Sequence, residues 1–422
     1  MNIEDVEKAF SEMLLIVDEG IVRVVIATAI ANRMPGNDAV WLMIVGPSSC
    51  GKTEFISSLT GRLDFVYPIS TLTTNTFASG LHRNDKETSL LFKVNFGIIT
   101  LKDFTTIISM NREARTEIMA QLREIYDGEF IKATGTGENI EWRGRVGIIA
   151  GCTPEAYRQM TEFSSMGERF ISYNLNQPNR DELARRALRN AGSIQAKRSH
   201  IKEIVAEYLT EMLDHIPTEP IDLDSILEED LLKIASFSTL ARSPVRTNYR
   251  TGVIEYVPEP EMPARMAGQF YNLARALAFM SGGELKEIDK NILYKIAIDS
   301  IPPTRRLALR VLTKYEMSGT ESLATALSYP TESVRQWLIE LNGLGICDRI
   351  SKGAGKSDAW ELKPKYRKLL SKFAKIPMLA QSLEPSKDEM ENYEQGLKEA
   401  EEALDEIDWG DWTTPTKKDE TV

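Results

Sequence analysis

An α/β fold wound around a parallel sheet follows from three observations on this sequence. Between residues 40 and 178, five short apolar runs alternate with helical patterns. The first run, 40–45, leads directly into Gly46-Pro47-Ser48-Ser49-Cys50-Gly51-Lys52-Thr53, a complete G-x-x-x-x-G-K-T sequence. A helix-type segment, Glu54-Phe55-Ile56-Ser57-Ser58-Leu59, follows without a break. Strand, Gly-rich turn and helix start make an anion cradle, because free backbone N–H groups and the positive helix end converge on one spot. In such a loop Lys52 reaches the β- and γ-phosphates of ATP or GTP, and the Thr53 hydroxyl reaches Mg²⁺. Gly46, Pro47, Ser48, Ser49, Cys50, Gly51, Lys52 and Thr53 are therefore the expected nucleotide contacts.

The elements can be justified in order. Residues 3–33 read as one or two amphipathic helices that lead into the first strand. The remaining apolar runs, 65–69, 97–101, 146–150 and 171–175, are short enough for buried strands of a doubly wound domain. Residues 181–241 carry apolar positions at helical spacing, as do 264–278 and 285–298. Between them, 244–263 has turn chemistry and a strand-like run at 253–257, which reads as an extended connector. From 302 to 376 the order is helix (305–315), helix (322–327), turn, helix (331–341), then strands around 346–350 and 359–362. A Gly/Lys stretch, 351–357, separates those strands, and the whole has the order of a winged helix. The last segment carries one helical pattern, at 390–407, and otherwise reads as disordered. Four units result: 1–178, 179–301, 302–376 and 377–422.

Composition narrows the class. The chain has 422 residues and only three cysteines, Cys50, Cys152 and Cys347, without metal-ligand spacing. That pattern fits a reducing compartment and excludes a disulfide framework or a zinc site. The start is acidic and unlike a signal peptide, and the apolar stretch 21–31 is interrupted by Arg23 and too short to span a bilayer. A soluble, cytoplasmic protein is expected. The net charge of −11 is unevenly placed. Residues 384–422 hold fourteen acidic and four basic residues, whereas 302–376 hold fourteen basic and seven acidic ones. A basic module ahead of an acidic tail points to nucleic-acid contact in the basic part. The tail could occupy that module in the free protein. His82, His200 and His215 stand alone and read as structural; Trp337 reads as core.

Further marks surround the phosphate loop. Gly97-Ile98-Ile99-Thr100-Leu101-Lys102-Asp103 is an apolar run ending in an acid, about fifty residues after the loop, where a P-loop enzyme needs a carboxylate. Val146-Gly147-Ile148-Ile149-Ala150-Gly151-Cys152-Thr153 is a second run that ends in a polar residue. Met166-Gly167-Glu168-Arg169-Phe170 precedes the last run. The segment 111–128 ends Arg123-Glu124-Ile125-Tyr126-Asp127-Gly128, and 130–144 reads as a β-hairpin.

With these residues, positions 40–300 resemble an AAA+ ATPase of the pre-sensor-1 hairpin group, similar in layout to the minichromosome-maintenance helicases. The whole chain resembles ATPases of phages and integrated mobile elements, in which Lys-Asp-Phe-Thr, Arg-Glu-Ile-Tyr-Asp-Gly and Gly-Glu-Arg-Phe recur. The resemblance implies a helical lid after the core, ATP and Mg²⁺ as cofactors, and self-association, as in a hexameric ring. It implies that Thr153 senses the γ-phosphate and that Arg265 is the lid's phosphate-sensing arginine. Arg169 would be a finger into the neighbouring subunit's site, a device that contributes 10³–10⁵ in rate. The hairpin would enter a DNA channel with Lys132, Arg143 and Arg145 beside its tip. In the winged helix, Arg335 and Gln336 would face bases, and Lys352 and Lys356 phosphates; such modules also dock proteins. DNA and other replication or mobile-element proteins are the implied partners.

One departure bears on the chemistry. The helicases end the second strand in Asp-Glu, whereas this chain has Lys102-Asp103-Phe104. Either Asp103 is the metal-side acid and the catalytic glutamate is missing, or Asp103 takes the base position and Lys102 replaces the metal-side acid. Slow hydrolysis is expected in both cases. Two functions stand: a replicative helicase or translocase, or an assembly platform, loader or regulator that binds ATP with little turnover.

Overall fold

The computed structural model describes residues 1–36, 38–77, 90–133, 139–155, 169–176, 179–217, 221, 223–248, 253–315, 317–351, 358–376 and 378–379. The chain opens with α1 (Ile3–Met13), started by a reciprocal capping box between Asn2 and Asp5, and α2 (Ile21–Ala31). Helix α1 is amphipathic as expected. Helix α2 is buried at every position, and its Arg23 donates to Glu7 at 2.8 Å and Glu4 at 3.3 Å. A helix apolar all round belongs in a core, and α2 runs between the sheet and the later helices.

The α/β part contains β1 (Trp41–Val45), α3 (Lys52–Ser58), β2 (Val66–Ile69), α4 (Leu90–Val94), β3 (Ile98–Leu101), α5 (Thr105–Ile108), α6 (Arg112–Tyr126), the hairpin β4 (Glu129–Ala133) and β5 (Asn139–Arg143), β6 (Gly147–Cys152) and β7 (Ile171–Asn174). The five expected strands form one parallel sheet in the order β2-β3-β6-β1-β7. All residues of β1, β3 and β6 are buried, because a parallel sheet covered on both faces needs apolar side chains on both. Alternation along the strands separates two cores. Leu42, Ile44, Ile98 and Ile149 face α2 and α3, while Trp41, Met43, Ile99, Leu101 and Ile148 face α6 and the hairpin.

The helical region holds α7 (Arg180–Asn190), α8 (Ile194–Asp214), α9 (Ser225–Arg242), α10 (Ala264–Met280) and α11 (Glu287–Asp299). The expected connector is instead partly a two-stranded antiparallel ribbon, β8 (Arg246–Thr247) with β9 (Ile254–Tyr256). Strand β9 falls on the strand-like run 253–257, whereas the two residues of β8 are too few for an alternation pattern to reveal. The C-terminal part contains α12 (Pro303–Lys314), β10 (Ser318–Gly319), α13 (Thr320–Leu327), α14 (Thr331–Gly343), β11 (Cys347–Ile350), β12 (Ala359–Leu362) and α15 (Pro364–Ala374). Its sheet is antiparallel in the order β10-β12-β11. Trp337 is core, at 5.0 Å from the Tyr329 ring. Strand β10 and helix α15 extend the expected order. Past the expected boundary at 376, Leu379 is fully buried, and the Met378 carbonyl accepts from the Asn176 side chain at 3.3 Å. The remainder of the acidic segment lies outside the described residues.

Strand β7 is the end of the sheet, yet its outer N–H groups are not left open. Ser172 N–H donates to the Ser300 hydroxyl at 3.0 Å, and Asn174 N–H donates to the Asp299 carboxylate at 2.8 Å. The same buried carboxylate accepts Lys295 at 2.9 Å and Arg306 at 2.9 Å. Lys295 lies 4.0 Å from Asp18, which also accepts from the Tyr173 hydroxyl and from Asn176 N–H. Burial raises the pKa of Asp18, with the Lys295 ammonium opposing it. One ionic cluster thus joins the N-terminal segment, β7, α11 and α12. Removing one partner of a buried pair leaves the other charge uncompensated. Asp299→Ala is expected to destabilise the protein by about 3–5 kcal/mol, measured by chemical denaturation; a change below about 1 kcal/mol, the level of an exposed pair, would overturn this assignment.

Candidate nucleotide site

The phosphate loop leaves β1 at the C-terminal edge of the sheet. Val45 pairs with Cys152, and Gly46 N–H donates to the Cys152 carbonyl at 3.1 Å, so the β1–β6 ladder runs one residue past the strand. Ser49 and Gly51 take positive φ, 65° and 94°. At Gly51 this turn into α3 strains any residue with a Cβ. Lys52 is buried, and its ammonium donates to the Gly46 carbonyl at 2.5 Å and the Pro47 carbonyl at 2.6 Å. Cys50 is half-buried with its sulfur 3.8 Å from that ammonium.

A cleft of about 530 Å³ opens over the loop residues Ser49–Phe55. Its far walls are Met13, Leu14 and Leu15 on one side and Leu183, Ala187 and Ile194 on the other. The walls are held by side chains on main-chain groups. Asn190 donates to the Met13 carbonyl at 2.6 Å, Lys197 to the Glu12 carbonyl at 2.8 Å, and Arg186 to the Ser11 carbonyl. A phosphate cradle thus adjoins an apolar slot. Sequence reasoning missed the slot, because its residues come from two segments about 170 positions apart.

Beside the cleft is a second hollow of about 320 Å³, lined by Thr53, Glu54, Ser57, Lys102, Arg198 and Lys202 among others. Leu101 pairs with Ala150, so the chain leaves the sheet with Lys102 beside Gly151. A Cβ on Gly151 would stand 2.6 Å from the Lys102 carbonyl, so glycine alone allows this approach. Lys102 therefore departs on the α3 side, level with Thr53, and Asp103 on the other side. Asp103 accepts from Thr105 N–H at 2.9 Å, which starts α5, and its charge acts on Cys152. Burial, reinforced by Asp103, pushes the Cys152 thiol up to about 12, so a neutral thiol stands here. Thr153 follows it, half-buried, just past the strand that lies between β1 and β3.

The residues around Thr53 do not fit a Mg²⁺ site. Such an ion requires an octahedron of oxygens, commonly with one or two carboxylates. Glu54 is engaged by Arg198 at 3.0 Å and 2.5 Å. Asp103 is not among the residues that line the hollow with Thr53, and the side chain that the β3 end contributes there is Lys102. Among the described residues no group of three or more His, Cys, Asp or Glu side chains is placed to hold a metal.

Arg169 and Arg265 lie at the opposite edge of the sheet. The Arg169 carbonyl accepts from Gln269, whose own carbonyl accepts from Trp41 N–H at the start of β1. Five strand residues separate that level from the loop, about 15 Å of rise. Arg265 is not over its own phosphate loop. Both guanidinium groups flank the buried Tyr126 ring, at 5.8 and 5.9 Å from its centre. Arg169 also pairs with Asp127 at 3.2 Å, and Arg265 with Glu261 at 3.1 Å. Burial and the Arg265 charge lower the pKa of Arg169.

The expected DNA contacts divide. Arg143 is exposed and pairs with Glu129 across the hairpin at 2.7 Å; Lys132 donates to the Asn75 side chain at 3.0 Å. Arg335 is exposed beside Glu332, while Gln336 is half-buried. Lys352, Lys356 and the hairpin tip 134–138 lie outside the described residues. Arg145 is a correction: its guanidinium donates to the carbonyls of Asn32 at 3.0 Å, Met34 at 2.7 Å and Gly36 at 2.6 Å. It closes the end of α2 and is not presented to a ligand. Its spacing from the hairpin gives no sign of this second use. Helix α15 and its C-cap supply cations that the sequence pattern does not single out, with Lys365, Lys368 and Lys375 at exposed positions.

Hydrogen bonds from a charged donor contribute about 1.5–3 kcal/mol each. Arg145→Gln is therefore expected to lower unfolding stability by about 2–4 kcal/mol, read by denaturant titration. No protein-family model matches the chain, and no curated protein matches it.

Proposed function

We propose that this protein is an oligomeric P-loop ATPase of the AAA+ type that acts on DNA, as a replicative helicase or translocase of a mobile element. The observation that carries the reading is the division of the sheet into two edges. One edge gathers the phosphate loop, Thr153 and the Lys102-Asp103 strand end. The other gathers two arginines that cannot reach that loop within the same chain.

In this reading the Gly46–Thr53 backbone and the Lys52 ammonium hold the phosphates, with Lys52 exchanging loop carbonyls for phosphate oxygens. The base lies in the apolar slot between Leu14, Leu15, Leu183, Ala187 and Ile194. Thr153 stands between the loop and Asp103, where a hydroxyl orients the attacking water. Asp103 accepts the water's proton; one of its oxygens already caps α5, which favours slow turnover. Arg169 and Arg265 of a neighbouring subunit neutralise charge that develops on the transferred phosphoryl group. The C-terminal helices and antiparallel strands serve as a winged helix that binds duplex phosphates, with the exposed lysines of α15 and its cap adding to Arg335.

The second reading, an ATP-held assembly platform, is favoured by Lys102 and by the commitment of Asp103 to α5. In it, nucleotide binding assembles subunits on DNA and hydrolysis only slowly releases them.

Mixing separates a shared site from an internal one. Lys52→Ala and Arg169→Ala chains, each expected to be inactive alone, should regain ATP turnover when mixed, because some junctions then pair an intact loop with an intact arginine. Arg169→Ala alone should lower turnover by about 10³ or more while ATP still binds. Absence of recovery in a mixture shown to co-assemble would sink the shared site. For DNA, glutamine at Lys365, Lys368 and Lys375 should flatten the slope of log affinity against log salt by about 0.9 for each phosphate that is no longer neutralised; an unchanged slope removes α15 from the interface.

A further inference from the structure

The misfit between Thr53's surroundings and a Mg²⁺ site has a specific form. Where the resemblance calls for a carboxylate, the α3 side of the β3 end carries the Lys102 ammonium. Lys102 makes no hydrogen bond or ion pair among the described residues. The carboxylate that could have neutralised it, Glu54, is held by Arg198 from across the hollow. With Lys202 on the same wall, the hollow beside Thr53 carries three cations and one acid. The cleft and the hollow share Thr53, Glu54 and Arg198, so a nucleotide's terminal phosphates in the loop would face this positive wall. Like charges near each other repel a divalent cation and attract a polyphosphate.

Resting on the nucleotide-binding reading above, we infer that Lys102 takes the place of the divalent cation, so that this loop binds nucleoside triphosphate without Mg²⁺. The ammonium supplies a fixed positive charge at the terminal phosphates, opposite the one from Lys52. Arg198 serves as a positioning residue, because it keeps Glu54 from quenching Lys102. The site then distinguishes ligands by polyphosphate charge and not by metal chelation.

The test uses the full chain and ATPγS, with affinity measured by calorimetry in excess Mg²⁺ and in excess EDTA. The expected result is a dissociation constant that changes by less than about threefold between the two conditions. Lys102→Asp should lose about tenfold or more in EDTA and regain it in Mg²⁺, since it restores a metal ligand. Lys102→Met keeps the stem without the charge, and should weaken binding in EDTA with no recovery in Mg²⁺. A wild-type affinity that falls about tenfold or more on chelation overturns the inference and leaves the nucleotide reading standing. Equal affinities for wild type and both variants in EDTA also overturn it. If ATPγS binds in neither condition, the nucleotide reading itself fails, and this inference with it.

Discussion

The buried carboxylate of Asp299 is the contact on which the arrangement of the whole chain turns. Its two oxygens accept from the backbone of β7, from Lys295 of its own helix and from Arg306 of the next. An edge strand of a parallel sheet has unpaired N–H groups, which are costly to bury. Here a side chain and the neighbouring Ser300 hydroxyl complete the ladder in place of a sixth strand. The helical region is thus continued from the sheet by hydrogen bonds, not simply stacked on it. Asn174 is one residue short of Leu175, whose N–H still pairs with Val45 at the mouth of the phosphate loop. The cluster that joins α11 and α12 to the core therefore ends beside the loop. A shift of the loop strand would disturb buried charges, and such clusters resist small displacements strongly.

A sheet buried on both faces leaves chemistry only at its two ends, and the two ends of this one differ in kind. At the C-terminal end, strands spaced about 5 Å apart bring together the loop, Cys152-Thr153 and Lys102-Asp103. Strand β6 lies between the other two and holds them at two strand spacings, about 10 Å. Its side chain there is a neutral thiol, which separates Lys52 from Asp103 without pairing with either. At the N-terminal end Tyr126 carries two guanidinium groups on its ring.

Much of this was legible in the sequence, for identifiable reasons. The five strands were found because strands buried on both faces read as unbroken apolar runs, and the loop because only glycine tolerates the Gly51 backbone. Face and direction were not legible. Lys102-Asp103 is ambiguous in sequence, whereas the pairing of Leu101 with Ala150 and the close approach at Gly151 set Lys102 on the Thr53 side. Arg145 looks like a ligand contact until its three carbonyl partners, more than 100 residues away in sequence, are known. Strand β9 lies in the run read as strand-like, while β8 and β10, of two residues each, are too short to leave a pattern. Leu379 follows a basic helix and precedes an acidic segment, so charge gives no sign that it is buried.

The arginine pair at the N-terminal end is where structural and functional needs diverge. Two guanidinium groups on one aromatic ring gain cation–π attraction of about 0.5–2 kcal/mol each, but each raises the cost of the other. Arg169 shows that cost as a lowered pKa, first through burial and then through the charge of Arg265. The acids present divide between them: Asp127 takes Arg169, and Glu261 takes Arg265 while also serving Arg242. Asp127 is itself more than half exposed, and the Asp38 charge also acts on the Tyr126 hydroxyl. A hydrophobic replacement around Tyr126 would avoid the desolvation of these guanidinium groups; in the proposed reading their charge would instead stabilise a polyphosphate presented by another subunit. In the proposed reading, the guanidinium groups at one edge and the phosphate loop at the other, about 15 Å of strand apart within a chain, would meet between chains.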